Sequence, residues 1–248
     1  MALPADLVRA LDAVAATPRL LVASDFDGTL APLVDRPSDA RPLPQAAEAL
    51  IAIADLPSTE VALVSGRALA VLREYSGMPS SVHLVGSHGA EFETGFALEI
   101  DETLLATITT ELNSIAAGRP GVTVELKPAS VALHVRNASA ADGEAALTAA
   151  HSVGEVSGAE ITAGKNVLEF AVISTDKGEA VDVFRRRGDA TAAVFFGDDV
   201  TDEKAFRRMV GSDVGVKVGP GETLAAYRVD SPEDVAEALS HLLERRRG

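Results

Sequence analysis

The segment Leu20-Leu21-Val22-Ala23-Ser24-Asp25-Phe26-Asp27-Gly28-Thr29 joins an apolar run to two carboxylates one residue apart. The run predicts a buried strand, and alternation along an extended chain turns Asp25 and Asp27 toward the same side. In an open α/β sheet, ligands bind beyond the carboxyl ends of the strands. Two close anions repel unless a cation or a shared proton relieves them, so the pair predicts a catalytic site that binds Mg²⁺. A simple turn would explain Gly28 but not the second carboxylate.

Strands and helices alternate along most of the chain, which is typical of a mainly parallel sheet with helices on both faces. The hydrophobic pattern predicts strands at Leu20–Ser24, Val61–Ser65, Val82–Gly86, Val194–Gly197 and Val214–Val218. It predicts helices over Leu7–Val14, Ala46–Ala54, Ala68–Tyr75, Lys177–Arg187, Glu203–Val210 and Pro232–Arg246.

The alternation stops between about Asp101 and Val172. This segment predicts a helix, then an antiparallel hairpin of Val122–Leu126 and Val131–Val135, then a second helix and a strand at Val167–Val172. We therefore expect a small α+β cap of residues 102–172, inserted into a larger α/β core of residues 1–101 and 173–248.

The composition limits the class of partner. Of the 248 residues, 47% are hydrophobic and 24% charged, as in soluble globular proteins. No apolar run approaches the ~20 residues that cross a bilayer. The net charge of −15 argues against nucleic acid or an anionic membrane as a partner. A small anionic substrate remains possible. Salt screens exposed charges beyond ~8–10 Å, so nearby cations and a metal can outweigh the net negative charge at a binding site.

Two further features limit the chemistry and the compartment, and only the second bears on the compartment. The absence of Cys excludes disulfides, thiolate catalysis and Cys-ligated metal sites. Residues 1–18 lack the basic start and continuous apolar centre of a secretory signal. We expect a cytoplasmic protein, and a monomer.

A second acidic cluster follows the apolar run at Val194–Gly197. Asp198 and Asp199 come directly after this run, and Asp202 follows three residues later. Acidic residues at a helix N-terminus gain ~0.3–1 kcal/mol each from the helix dipole, so capping is an alternative explanation. Capping does not require acids directly after a strand, where Asp25 also lies. The two clusters together therefore predict an oxygen-rich cation site at the sheet edge.

Two further strand–helix junctions carry groups suited to a phosphate. Ser65-Gly66-Arg67 follows Val61–Val64. Ser65 either caps a helix or donates its hydroxyl and backbone N–H to a phosphate oxygen. Lys177 lies in the first turn of a predicted helix, where a cation opposes the dipole. A bound anion would remove this conflict, so we expect Lys177 to neutralise Asp25 and a transferring phosphoryl group.

Four motifs, taken in chain order, resemble the haloacid dehalogenase superfamily of phosphotransferases: Asp25–Thr29, Ser65, Lys177 and Gly197–Asp202. The resemblance spans Asp25 to Asp202. It implies that Asp25 is a nucleophile that forms an aspartyl phosphate, and that Asp27 first protonates the leaving oxygen and then activates water. It also implies catalytic roles for Ser65 and Lys177. The implied Mg²⁺ ligands are Asp25, the backbone carbonyl of Asp27, and Asp198, with support from Asp199 and Asp202.

Substrate choice is expected to lie in the cap. Polar side chains of the cap occupy alternate positions of the predicted hairpin, at Glu125, Lys127, His134 and Arg136. Lys165 and Glu169 share parity on the later strand. A solvated sheet face with cross-strand ion pairs would give the same pattern. Above an active site, this mixture of carboxylate, imidazole and cations is suited to binding sugar hydroxyls.

The whole chain resembles the trehalose-6-phosphate phosphatases. The resemblance is carried by Asp25–Pro32, Gly86–Glu91, Glu125–Pro128 with His134–Arg136, and Gly164–Glu169. The family often continues with an Arg-Pro type sequence, where this chain has Phe170-Ala171-Val172. The resemblance implies hydrolysis of trehalose 6-phosphate to trehalose and phosphate. The implied substrate contacts are the six cap residues together with Thr29, Gly66, Arg67 and His88.

Other functions remain open on the sequence. A phosphatase for another sugar phosphate, such as sucrose 6-phosphate, would share every core motif. A sugar phosphomutase would use the same chemistry but return the phosphoryl group to a sugar. A phosphorylatable receiver module also combines Asp, Ser and Lys around Mg²⁺, but it has no need of Asp27 or of an inserted cap. A catalytically inactive sugar-binding module is the last alternative, although every residue expected for turnover is present.

Overall fold

A computed structural model describes residues 3–173 and 175–248. Met1, Ala2 and Ser174 lie outside the described residues. The chain divides into two compact units, one of Met1–Gly95 with Thr175–Gly248 and one of Phe96–Ser174. The assignment of residues 1–101 and 173–248 as a catalytic core and of 102–172 as a cap stays a prediction.

Within the described ranges the chain forms twelve strands and eight α-helices. The strands are β1 (Leu20–Ser24), β2 (Thr59–Val64), β3 (His83–Val85), β4 (Glu91–Phe92), β5 (Gly95–Phe96), β6 (Thr123–Leu126), β7 (Ser130–His134), β8 (Glu160–Gly164), β9 (Val167–Ala171), β10 (Ala192–Gly197), β11 (Val214–Val218) and β12 (Tyr227–Val229). The helices are α1 (Ala5–Ala15), α2 (Pro44–Ala54), α3 (Leu69–Ser76), α4 (Glu102–Ala116), α5 (Ala140–Ser157), α6 (Lys177–Arg187), α7 (Glu203–Phe206) and α8 (Pro232–Arg247).

The first unit contains a six-stranded parallel sheet in the order β12-β11-β10-β1-β2-β3. β1 lies in its middle, where Ser24 pairs with Phe196 of β10 and with Leu63 of β2. The strand order reverses at β1, and such a switch point is where open α/β sheets bind ligands. The predicted mainly parallel sheet is confirmed.

Both faces of this sheet are covered by helices. Val22 belongs to a buried cluster with Leu7 of α1, Leu50 of α2 and Leu239 of α8. Leu21 and Ala23 of β1 point to the other face and belong to a second buried cluster. This cluster includes Val181 and Phe184 of α6 and Phe206 of α7. Burial on both faces explains why β1 reads as a continuous apolar run.

The second unit contains a four-stranded antiparallel sheet in the order β6-β7-β9-β8. Its apolar side chains pack against α4 and α5 in a cluster that includes Ile108, Leu112, Val131, Leu133, Ala146, Leu168 and Phe170. The alternating residues of β6, β7 and β9 carry the polar side chains on the opposite face. The predicted hairpin is confirmed, as β6 and β7.

Several local features differ from the prediction. Four strands were not predicted: β4 and β5 have two residues each, β12 has only three, and β8 contains Glu, Thr and Gly. The helix predicted over Glu203–Val210 ends at Phe206. The chain tightens there, because Arg208 N–H bonds to the carbonyl of Ala205, and the Asp213 carboxylate then accepts the N–H of Val210 at 2.7 Å.

Within the described ranges, the helices are too short or too polar to span a membrane.

Candidate active site

The buried ammonium of Lys177 joins the two acidic clusters. Its Nζ lies 2.9 Å from Oδ1 of Asp25 and 2.7 Å from Oδ1 of Asp202, and the three side chains are only 2%, 6% and 0% exposed. Lys177 is the first residue of α6, and the carboxylate of Asp176 caps this helix by accepting the N–H of Glu179 at 2.8 Å. The cation that opposes the helix dipole is therefore balanced by two carboxylates of the site.

One lysine does not balance the carboxylates around it. Burial raises the pKa of Asp25 well above its ordinary value; Lys177 lowers it, and Asp202 and Asp198 raise it further. Burial, followed by the charge of Asp202, raises the pKa of Asp198 to about 6, although Lys177 opposes the shift. Burial disfavours the charged form of Lys177, but Asp202 and Asp25 outweigh it and raise the pKa of Lys177. A further cation would allow all the carboxylates to ionise.

Three carboxylates lie close enough together to hold a divalent ion. One oxygen each of Asp25, Asp198 and Asp202 lies within 4.8 Å of the others. Hard cations such as Mg²⁺ prefer oxygen ligands of this kind. Oδ2 of Asp202 already accepts the N–H groups of Asp198 and Asp199 at 3.0 and 2.9 Å, while its Oδ1 binds Lys177. Asp25 and Asp198 are thus better suited to direct coordination, and Asp202 to holding the loop.

Asp199 has a different place from the other acids. It is exposed, and its Oδ1 accepts the N–H of Val200 at 2.7 Å. With Asp202 it forms a capping box at the short helical turn that follows β10. Capping therefore accounts for Asp199, whereas Asp198 lies in the carboxylate group.

Gly28 and Thr29 contact Asp198 across the sheet edge. The hydroxyl of Thr29 donates to Oδ1 of Asp198 at 3.4 Å. A Cβ atom on Gly28 would lie 2.2 Å from Oδ2 of Asp198, and Gly28 has a φ of 77°. Only glycine allows this approach without displacing the carboxylate.

The second carboxylate of the opening motif has its own cation. Asp27 accepts two hydrogen bonds from Arg67, each 2.6 Å long. The guanidinium also lies 5.6 Å from the ring centre of Phe26 and 5.1 Å from that of Tyr75. A two-point contact of this kind fixes the orientation of the carboxylate. Arg67, which was expected to contact substrate, is here engaged with Asp27.

Ser65 is buried directly after β2. Its N–H donates to the carbonyl of Val85 at 2.9 Å, so this group is already bonded, and its hydroxyl accepts the N–H of Arg67 at 3.2 Å. Helix α3 begins at Leu69 with Ala68 as its N-cap, so Ser65 does not cap it. The hydroxyl hydrogen is the donor that Ser65 can offer to a ligand.

Gly66 and His88 lie against each other beside Ser65. A Cβ atom on Gly66 would lie 2.4 Å from Cε1 of the His88 ring. The N–H of His88 donates to the carbonyl of Ser65 at 2.9 Å. His88 therefore supports the loop that contains Ser65.

The polar face of the second unit carries paired side chains. Nε2 of His134 lies 2.8 Å from Oε2 of Glu125, and this hydrogen bond lowers the pKa of Glu125. Nζ of Lys127 lies 2.9 Å from Oε2 of Glu169, and the hydroxyl of Ser130 donates to Oε1 of the same carboxylate at 2.7 Å. Four of the six predicted cap residues thus form two pairs on one face.

The other two cap residues lie in turns. Lys165 and Asn166 form the turn between β8 and β9, with Asn166 at a φ of 62°. Because β9 begins at Val167, the prediction that Lys165 shares a strand with Glu169 was wrong. Arg136 is exposed in the turn that follows β7.

Two residues of this region were not predicted from the sequence. Lys217 is 4% exposed, and its Nζ donates to the backbone carbonyl of Asp198. A single charge inside the apolar strand Val214–Val218 was the signal for it. Glu91 accepts the N–H of Leu69 at 2.7 Å; nothing in its local sequence points to this contact.

Comparison with known proteins identifies the family. The family model described as trehalose-phosphatase matches residues 23–233. The chain belongs to the trehalose-phosphatase family. A trehalose-phosphate phosphatase of Mycobacterium leprae (strain TN) is 33% identical over 243 residues, which cover 88% of this chain and 56% of that protein. The chain therefore spans little more than half the length of this relative.

Two solved structures share the fold of this chain. The C-terminal domain of a trehalose-6-phosphate phosphatase of C. albicans superposes with a TM-score of 0.84 at 23% identity, covering 98% of both chains. A haloacid dehalogenase-like hydrolase from Bacteroides thetaiotaomicron superposes with a TM-score of 0.69 at 14% identity, covering 90% of this chain and 99% of the other. The predicted haloacid dehalogenase-like α/β fold with a smaller α+β unit is confirmed.

We expect metal affinity to depend on pH through Asp198. A divalent ion competes with the proton on this carboxyl group, whose pKa is about 6. Mn²⁺ affinity, measured by electron paramagnetic resonance on protein freed of metal, should fall by at least about tenfold per pH unit well below pH 6, because the pKa of the second ligand Asp25 is raised as well. Equal affinity at about pH 7 and pH 5 would contradict the raised pKa.

Proposed function

We propose that the protein is a Mg²⁺-dependent phosphatase that hydrolyses trehalose 6-phosphate to trehalose and phosphate. The observation that carries the proposal is the buried Asp25, held by Lys177 within the carboxylate group at the switch point of the sheet. Membership of the trehalose-phosphatase family supports the substrate.

The reaction begins at Asp25. Its carboxylate attacks phosphorus, the bond from phosphorus to the sugar oxygen breaks, and an aspartyl phosphate forms. Lys177 neutralises Asp25 and the incoming phosphoryl oxygens, and the hydroxyl of Ser65 donates to one of these oxygens. Mg²⁺, held by Asp25, Asp198 and the backbone carbonyl of Asp27, would supply charge neutralisation and alignment.

Asp27 moves the protons. It donates a proton to the sugar oxygen as this oxygen leaves, and it then removes a proton from the water that attacks the aspartyl phosphate. Both oxygens of Asp27 accept hydrogen bonds from Arg67 in the structure. Each oxygen keeps a second acceptor site beside its bond to Arg67, and this site can carry the proton to the sugar.

We assign sugar recognition to the polar face of the second unit, acting as a cap. Glu125, Lys127, His134 and Glu169 offer carboxylates and cations to sugar hydroxyls, with Lys165 and Arg136 on adjacent turns. Of the residues that depart from the family pattern, Phe170 is fully buried in the apolar cluster beneath this face, whereas Ala171 shares the parity of Glu169 and lies on the face itself. The small sugar phosphate is proposed as the partner, in place of nucleic acid or a membrane, in keeping with the net charge of −15. A cytoplasmic location and a monomeric state stay predictions.

Phosphate release from a panel of sugar phosphates tests the proposal. With Mg²⁺, trehalose 6-phosphate should give a higher kcat/KM than sucrose 6-phosphate or glucose 6-phosphate. Asp25→Asn removes the nucleophile but keeps its shape, so it should lower kcat by about 10⁴-fold or more. Asp189→Asn, at a side chain that is 82% exposed, is the matched control. Near-normal turnover by folded Asp25→Asn would reject the covalent mechanism, and preference for another sugar phosphate would reject the substrate.

The role of Asp27 predicts a dependence on the leaving group. A sugar alkoxide needs a proton, whereas an aryl oxide leaves without one, so Asp27→Asn should slow the sugar phosphate far more. The loss should reach ~10²–10⁴-fold for trehalose 6-phosphate, the usual range for general acid–base catalysis. Steady-state kinetics on both substrates measure it. Equal losses would assign Asp27 a purely structural or metal-positioning role.

The cap assignment predicts a change in substrate preference. Glu125→Ala should lower kcat/KM for trehalose 6-phosphate by about 10–100-fold, the worth of a hydrogen bond to a charged group, and leave a small aryl phosphate nearly unaffected. Glu144→Ala provides the control, since Glu144 is exposed on α5, the helical side of the same unit. An unchanged ratio of the two kcat/KM values in Glu125→Ala would mean that this face is an ordinary solvated sheet.

A further inference from the structure

A tight turn of residues 86–91 is bonded to the loop between β2 and α3. The N–H of Ser87 donates to the carbonyl of Arg67 at 2.8 Å, and the N–H of His88 donates to the carbonyl of Ser65 at 2.9 Å. The turn therefore holds the backbone on both sides of Gly66. This is the loop to which the proposed function assigns the phosphoryl group.

The turn is strained. Ser87 and His88 have φ values of 51° and 56°, and Gly89 follows at 109°. The left-handed conformation costs a non-glycine residue ~1–2 kcal/mol, and it persists only where surrounding contacts impose it. A Cβ atom on Gly89 would lie 2.4 Å from the carbonyl oxygen of Asp176, the residue before Lys177. The turn thus contacts the start of α6 as well as the β2–α3 loop.

Glu91 holds the two sides of this contact together. Its Oε2 accepts the N–H of Leu69 at 2.7 Å and the hydroxyl of Ser87 at 3.3 Å. Leu69 is the first residue of α3, whose N-cap Ala68 has no side-chain oxygen. Glu91 therefore supplies the acceptor that an N-cap side chain normally provides, and its negative charge suits this end of the helix.

We propose that Glu91 is a positioning residue for phosphoryl transfer. Its carboxylate joins Leu69 to Ser87, and so fixes the β2–α3 loop in which the hydroxyl of Ser65 donates to a phosphoryl oxygen. Without this acceptor, the strained turn can relax and the loop loses its support. A misplacement of about 1 Å in such a contact costs ~10²-fold in rate. The inference rests on the proposed function, because it takes Ser65 as a ligand of the phosphoryl group.

The test compares three substitutions at Glu91 with one at Glu93. Glu91→Leu removes both acceptor oxygens at similar size, Glu91→Gln keeps one, and Glu91→Asp draws the carboxylate back by one methylene. Glu93→Leu is the matched control: Glu93 lies two residues further along, is 39% exposed, and binds Arg73 of the same helix α3 at 2.7 Å. Circular dichroism checks that each variant is folded at the assay temperature.

Two kinetic results are expected. Glu91→Leu should lower kcat/KM for trehalose 6-phosphate and raise the inhibition constant of inorganic phosphate, each by about 10–100-fold. Glu91→Gln should recover to within about tenfold of the unsubstituted protein, because the N–H of Leu69 keeps an acceptor. Glu93→Leu should match the unsubstituted protein in both quantities.

Hydrogen exchange measures the mobility of the β2–α3 loop independently of catalysis. The amides of residues 65–69 should exchange faster in Glu91→Leu and not in Glu93→Leu. Unchanged exchange and an unchanged phosphate inhibition constant in folded Glu91→Leu would overturn the positioning role and leave the proposed function intact.

A second measurement applies if the unsubstituted protein does not hydrolyse trehalose 6-phosphate: phosphate binding is then measured by calorimetry with Mg²⁺. Weaker binding and faster exchange in Glu91→Leu would then keep the positioning role while the proposed function fails. If Glu91→Leu does not fold, unchanged exchange rates and an unchanged phosphate inhibition constant in Glu91→Asp would overturn the positioning role.

Discussion

The contact of Lys177 with Asp25 and Asp202 is the constraint on which the rest of the site depends. Its ammonium is buried between carboxylates from two distant parts of the chain. Leaving one partner of a buried ion pair without the other costs ~3–5 kcal/mol. Asp202 in turn accepts the N–H groups of Asp198 and Asp199, so one cation joins the opening motif to the loop after β10. The lysine is therefore part of the architecture as well as of the chemistry.

The two carboxylates of the opening motif differ in the cation that each contacts. Asp25 contacts a buried ammonium, while Asp27 is held at two points by a guanidinium that also stacks near two aromatic rings. Neighbouring carboxyl groups in different surroundings can take different roles in one reaction. Sequence spacing puts the groups close together, but their partners from α6 and the β2–α3 loop make them chemically unequal.

The sequence was sufficient for features that depend on local pattern. The apolar run of β1 predicted a strand buried on both faces, and Lys177 at a helix start predicted a neighbouring anion. Partners brought in by folding were not predictable in this way. No periodicity relates Arg67 to Asp27, and Glu91 reaches the first residue of α3 from 22 positions away. The turn position of Lys165 was missed because its parity was matched to that of Glu169, although the predicted strand began only at Val167. β8 and β12 carry too weak a pattern for detection.

The inserted unit affects the order in which the protein can fold. Every pairing of the four-stranded sheet lies within residues 123–171, whereas Ser24 of β1 pairs with Phe196. During synthesis from the N-terminus, the antiparallel sheet can therefore close before β10 has been made. Until then the edge of β1 that later receives β10 has no strand beside it, although this strand is among the most apolar of the chain. An unpaired apolar edge is a template for association with other chains. The strand that leads into Asp25 thus keeps an open edge until β10 has been made.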